Sequence, residues 1–304
     1  MRTAIVTDST ASLTSAVAAA RDIRVVALQV VIGSESYDEG VEGGATPQML
    51  AEALKTWTPV STSRPNPDEM LEVYERLAAE GATEIVSIHL SADLSGTFES
   101  AQLAARRSPI PVHAVDSRQV GMATGFAALA AADVRDAGSS GTEIAAAARE
   151  RAAAATSLFY VDTLEYLRRG GRIGAAAALL GSALAVKPIL KVDAGRVGPF
   201  ERVRTSAKAL SRLEELAVEA AADAEVEVAV AHLANPDRAN ALAERLATRL
   251  AAGLGERQVV VGEIGAVLGA HVGPGMVAVC VARRSQVIGG SPARSEAHSP
   301  DPAD

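Results

Sequence analysis

Hydroxyl side chains gather at four places in the first half of this sequence: Asp8-Ser9-Thr10, Ser61-Thr62-Ser63, Ser91 through Thr97, and Asp116-Ser117. The third is the densest. Glu84-Ile-Val-Ser-Ile-His-Leu90 reads as a buried strand, and residues 98–105 are rich in helix formers. Ser91, Ser95, Gly96 and Thr97 lie where that strand hands over to that helix. In an open α/β sheet, free N–H groups and the helix dipole at such a turn favour an anion. The same residue types also cap helices, so a single turn does not separate the two roles. Four such turns on one carboxyl edge make a pocket of small hydrogen-bond donors, suited to a carboxylate or a phosphate. No GxGxxG follows a strand and no GxxxxGK[ST] occurs, which weakens dinucleotide and P-loop readings.

A second candidate is His271, in Gly265-Ala-Val-Leu-Gly-Ala-His271-Val-Gly-Pro-Gly275. Glycines and a proline around it read as a loop where the backbone comes close to another group. His89 and His232 fall at strand ends, His113 within a strand and His298 in the tail, places where a histidine is usually structural. Ser95, His271 and Asp8 would in principle form a nucleophilic triad, giving a small serine esterase or thioesterase. There is no GxSxG elbow, which disfavours it. No second histidine or carboxylate is spaced near His271 for a metal. Arg168, Arg169 and Arg172 read either as a solvated helix end or, with Arg196, Arg202 and Arg204, as a docking surface for a partner or an anionic head group.

The elements needed to hold these groups alternate along the chain. Strands are expected over residues 3–7, 24–32, 84–90 and 111–115, with helices over 13–20, 46–57, 68–79, 98–105, 121–136 and 142–155. An acidic, glycine-rich loop over 33–44 carries Glu35, Asp38, Glu39 and Glu42. Strand followed by helix, repeated, implies a mostly parallel sheet covered on both faces. After Thr156 come strands at 157–161, 225–231, 258–263 and 276–282 and a hairpin over 188–204. Helices are expected at 163–169, 175–185, 206–220 and 236–251, so this half is a second α/β unit. The expected division is an N-terminal α/β domain over 1–156, a C-terminal one over 157–284, and a disordered tail over 285–304.

Composition narrows the classes. A net charge of −8 argues against nucleic acid. Cys280 is the only cysteine, so an intramolecular disulfide and a thiolate metal cluster are excluded, and its apolar neighbours read as a buried strand. The uncharged run at 173–186 is 14 residues long, short of the roughly 20 a spanning helix needs. With no secretory h-region at its start, the chain is expected to be soluble and cytoplasmic.

Taken in order, seven segments resemble the DegV family, the fatty-acid-binding (FakB-type) proteins: TDSTASL (7–13), TSRP (62–65), HLSADLSGTFESA (89–101), VDS (115–117), TLEYLRRGGRIG (163–174), VRT (203–205) and IGAVLGAHVGPG (264–275). They cover all but the tail. The chain departs from the family at Arg64, where glutamine is common, and at Asn66, where serine is. Arg64 would alter the mouth of the site or an interface. The resemblance implies two α/β domains (DegV/EDD-like) with one long-chain fatty acid buried between them. Thr62 and Ser95 would bind its carboxylate, with His271 completing the site. Asp8, Ser9, Ser63, Gly96, Thr97, Ser117 and Gly171 would support or line the pocket, and parts of 173–190 would line the acyl tunnel. It further implies no cofactor and no catalytic residue of the chain's own. The fatty acid would be presented to an ATP-dependent, dihydroxyacetone-kinase-like fatty acid kinase subunit, which makes acyl phosphate for phospholipid synthesis. Arg204 would touch that kinase, and lipid exchange would involve transient membrane contact.

Overall fold

The computed structural model describes residues 2–180 and 187–284. The first strands are β1 (Thr3–Asp8), β2 (Ile23–Val26), β3 (Gln29–Ile32), β4 (Glu35–Asp38), β5 (Val60–Ser63), β6 (Glu84–His89) and β7 (Val112–Asp116). Four of them form a parallel sheet in the order β2-β1-β6-β7. β1 and β6 are buried along their whole length, as a two-sided parallel sheet requires of its central strands. Helices Met122–Asp136 and Gly141–Ala153 cover one face through an alanine seam that includes Ala127, Ala131, Ala145 and Ala148. Pro67–Ala79 and Thr97–Ala105 cover the other with Met70, Tyr74, Leu77 and Ala101.

The single strand expected over 24–32 is two strands in two sheets. The chain breaks at Ala27-Leu28, where Leu28 is buried in the core between the domains and its N–H donates to Ser9 Oγ (3.1 Å). Beyond it β3 pairs antiparallel with β4 and β5 in a separate three-stranded sheet. β4 therefore takes part of the expected acidic loop. Ser61, Thr62 and Ser63 lie on β5 and not on a turn of the parallel sheet. Thus three of the four hydroxyl clusters share the carboxyl edge, and Thr62 approaches from another sheet.

The later strands are β8 (Ala155–Tyr160), β9 (Lys187–Asp193), β10 (Arg196–Val203), β11 (Val226–His232), β12 (Val260–Glu263) and β13 (Val277–Arg283), in the order β10-β9-β8-β13-β11-β12. Helices Ser206–Ala221 and Pro236–Arg249 pack on the outer face, against Val228, Val230, Val279 and Val281. The inner face carries Phe159, Leu190, Val192, Met276 and Ala278 into the core shared with Leu28, Val30 and Leu90 of the first domain. Alternation along each strand decides which side chains face the other domain. The expected β9–β10 hairpin turns at Ala194-Gly195, both at positive φ, and Gly195 O accepts from Ser91 Oγ (2.7 Å). In place of the start of a helix over 175–185 there is a 3₁₀ segment, Gly174–Leu179. The rest of that helix and the expected tail over 285–304 lie outside the described residues.

A buried polar chain locks the carboxyl edge of the parallel sheet. Tyr74 donates to Ser87 Oγ (2.8 Å), Ser87 Oγ meets His89 Nε2 (2.7 Å), and His89 Nδ1 meets Asp8 Oδ2 (2.9 Å). Asp8 also accepts from Leu90 N and Thr10 N, which fixes the Ser9–Ala11 turn. Ser87, His89 and Asp8 have the connectivity of a nucleophile, base and orienting acid. Ser87 is wholly buried with its oxygen occupied by Tyr74, so no substrate reaches it. Replacing Asp8 by Ala strands several buried donors, and a loss of at least about 1–3 kcal/mol is expected in urea unfolding. An unchanged midpoint would contradict this role.

Candidate functional site

Thr62 on β5 and His271 meet across the domain interface, with Oγ1 and Nε2 2.9 Å apart. His271 is not on a loop. It lies on a short helix, Ala266–Val272, and the glycines around it serve close packing within and around that helix. A Cβ on Gly269 would lie 2.5 Å from Leu50 Cδ2, and one on Gly273, at φ +74°, would enter the Tyr166 ring. A Cβ on Gly170 would lie 2.1 Å from His271 Nδ1, so the imidazole rests against bare backbone.

Burial, with the Arg172 charge adding to it, pushes the His271 pKa down to about 4. The ring is therefore neutral at pH 7. Its Nδ1 is buried and unpartnered among the described residues. A buried lone pair is tolerated better than a buried N–H, which places the proton on Nε2. His271 then donates to Thr62 Oγ1, and the Thr62 hydroxyl is left to donate onward to an anion.

Ser95 precedes the helix Thr97–Ala105, whose N-cap, Gly96, makes no side-chain capping bond. The hydroxyls are not spent on capping: Ser95 Oγ pairs with Thr97 Oγ1 (2.9 Å) and borders open space. Arg64 crosses the mouth, its Nη1 donating to Gly96 O (2.9 Å) and Glu99 Oε2 (2.7 Å). Arg64 thus falls on the rim of the site. Arg172 is the residue that sequence reasoning left undivided from its neighbours. Arg168 and Arg169 pair with Glu165 on the surface, whereas Arg172 turns inward and donates from Nε to Leu94 O (3.0 Å) and from Nη1 to Gly170 O (2.6 Å). The signal was Gly170-Gly171, since Gly171 at φ +70° reverses the chain.

These groups line one cavity of about 450 Å³ between the domains, within the range of small-molecule sites. Its polar lining includes Thr62, Ser63, Arg64, Ser95, Gly96, Arg172 and His271. Most of the remaining wall is apolar, including Leu28, Leu90, Leu94, Leu167, Val192 and Ile264. Its floor is the inner face of the large sheet, where register aligns Phe159-Ala278-Ala231 in one row and Ser157-Cys280-Ala229 in the next. Cys280 is a buried strand residue, and burial pushes its thiol up to about 12. The cavity has a polar, hydrogen-bonding mouth and an oily interior.

The other predicted residues stand behind the lining. Asp8 and Ser9 hold the β1 turn and Leu28, Thr97 orients Ser95, and Ser117 pairs with Thr124 Oγ1 (3.0 Å). None of these four, nor Gly171, lines the cavity. Arg204 is exposed just beyond β10 and does not line the cavity. Arg196 is bound to Asp93 (2.7 Å). The triad of Ser95, His271 and Asp8 does not assemble, because each member pairs elsewhere: Ser95 with Thr97, His271 with Thr62 and Asp8 with His89. No helix of the described residues is long and apolar enough to cross a membrane.

Comparison with known proteins places this architecture. The DegV family model matches residues 2–284. A DegV domain-containing protein of Streptomyces coelicolor is 53% identical over 281 residues, 92% of this chain and 98% of that protein. Among solved structures, a DegV family protein from Thermus thermophilus described for its fatty acid binding superposes with a TM-score of 0.86 at 32% identity, covering 93% of this chain and 100% of that one. DegV from Bacillus subtilis, described as a fatty acid binding protein, gives a TM-score of 0.85 at 35% identity, with coverage of 93% and 100%.

The depressed His271 pKa has a consequence for stability. Between about 6.5 and 4 the unfolded chain takes up a proton that the folded one refuses, so stability falls as pH drops through that window. In lipid-free protein, His271→Gln should show a shallower fall there than wild type in urea midpoints measured against pH. Parallel curves would contradict a neutral, buried ring.

Proposed function

We propose that this chain, which belongs to the DegV family, binds one long-chain fatty acid and carries it for use by another protein. The observation that carries this reading is the convergence of Thr62, Ser95, His271 and Arg172 at the mouth of an apolar cavity. A carboxylate there accepts from the Thr62 and Ser95 hydroxyls. Neutral His271 sets the direction of the Thr62 hydroxyl, and the guanidinium of Arg172 supplies the positive field. The acyl chain extends over the rows of Phe159-Ala278-Ala231 and Ser157-Cys280-Ala229. Burying it is worth about 0.8 kcal/mol per CH₂, so the tail supplies most of the affinity and the mouth fixes which end faces out.

A carrier has no need of a nucleophile, and the bound acid is activated elsewhere. In our reading the recipient is an ATP-dependent fatty acid kinase subunit that makes acyl phosphate for phospholipid synthesis, and exposed Arg204 belongs to its docking face. Loading and unloading then take place in brief contact with membrane lipid.

Delipidated protein should take up oleate or palmitate in a fluorescent-lipid displacement assay. Thr62→Ala, Ser95→Ala and His271→Ala should each weaken binding by about 1–3 kcal/mol, the range for hydrogen bonds to a charged group. Failure of wild-type protein to bind either acid would refute the reading. For the partner, Arg204→Ala should keep lipid affinity and lose kinase-coupled acyl phosphate formation; equal coupled activity removes Arg204 from that face.

A further inference from the structure

Among the acidic residues after β4, Glu39 is the one that turns inward. It is 6% exposed, and its N–H donates to Leu28 O (2.8 Å) at the point where the chain leaves the parallel sheet. Its Oε1 crosses to the other domain and accepts from Val267 N (2.8 Å) in a buried hydrogen bond. Val267 is the second residue of the helix Ala266–Val272, and that helix begins at a glycine. Gly265 has no side chain to cap it, and a Cβ there would lie 2.1 Å from Glu39 Oε1. The carboxylate of one domain occupies the place of the missing cap of the other.

The consequence lies four residues on, at His271. A helix of seven residues has little stability of its own and depends on what holds its ends. Near its far end the His271–Thr62 bond ties it back to the first domain, and at its start Glu39 does the same. Among the described residues, nothing else in the mouth is tied to the first domain at two points. Ser95 and Arg64 belong to the first domain, and Arg172 reaches it through a single backbone carbonyl, that of Leu94.

We propose that Glu39 is a positioning residue for the carboxylate-binding mouth: it caps the His271 helix from the opposite domain and so sets where the imidazole meets Thr62. The inference rests on the fatty-acid reading for its ligand, though its structural part does not. Burial pushes the Glu39 carboxyl up from its ordinary value, against the Ser9 hydroxyl and the Val267 N–H, while the Asp8 charge adds to the push. Holding a carboxyl in such a place is costly. Among the described residues no arginine or lysine pairs with it, so the helix end is what it serves.

The test uses three variants and two probes, oleate and oleyl alcohol, which share a tail and differ in the head. Glu39→Ala should weaken oleate about tenfold, the scale of a lost helix cap, and change oleyl alcohol less than about twofold. Glu39→Gln keeps a carbonyl acceptor for Val267 N–H and should bind both like wild type. In Glu39→Ala/Gly265→Ser the vacated space admits a local cap, and oleate affinity should return. Equal loss of acid and alcohol in Glu39→Ala, no loss at all, or no recovery in the double variant would overturn the proposal. If Glu39→Ala does not fold, Glu39→Gln and the double variant still decide it, since both must then bind oleate normally. The His271 imidazole ¹⁵N shifts in lipid-free protein give a second readout, expected to move in Glu39→Ala and to stay in Glu39→Gln. Because this needs no lipid, failure of the Glu39 cap is distinguishable from failure of wild type to bind fatty acid.

Discussion

One hydrogen bond organises the mouth of the cavity: the one between Thr62 and a histidine that burial keeps neutral. Had His271 been exposed, it would titrate near neutrality and the Thr62 hydroxyl would be free to rotate. Set against Gly170, with only one ring nitrogen partnered among the described residues, it holds one tautomer. Polarity then runs in one direction, from the imidazole N–H through the Thr62 hydroxyl into the cavity. The positive charge comes from Arg172, which keeps its own bonds to backbone carbonyls and needs no carboxylate of the protein.

The fold makes that bond by bringing three sheets to one place. The parallel sheet delivers Ser95 and Gly96 from the turn after β6, the small antiparallel sheet delivers Thr62, and the large mixed sheet supplies the apolar floor. The helix with His271 bridges the last two. Because the walls belong to different domains, the cavity exists only when the domains are seated, and direct contacts such as Ser91 Oγ to Gly195 O hold that seating. A buried tail would stabilise it further, since it adds apolar surface to an interface already made of it.

Much of this was legible in the sequence, and for definite reasons. The β-branched, fully buried β6 run, its hydroxyl-rich turn and the helix after it follow from local pattern, and the capping alternative failed only when Gly96 proved to have no side-chain cap. The departure of β3 was not legible, because residues 24–32 are mostly apolar and β-branched, and nothing in the string marks the break at Leu28. Reading the glycines around His271 as a loop was reasonable on conformational grounds. Their actual use, as gaps that Leu50 and Tyr166 fill, depends on partners far away in the chain. Arg172 and Glu39 share this difficulty: each sits in a run of like charges, and only the three-dimensional path shows which member turns inward.

Native mass spectrometry of the protein as purified, with the released ligand identified after denaturation, addresses the central claim most directly. The expected result is one long-chain fatty acid per chain, retained through purification because its tail is enclosed. Protein that is empty as isolated and stays empty after incubation with oleate and palmitate would contradict it.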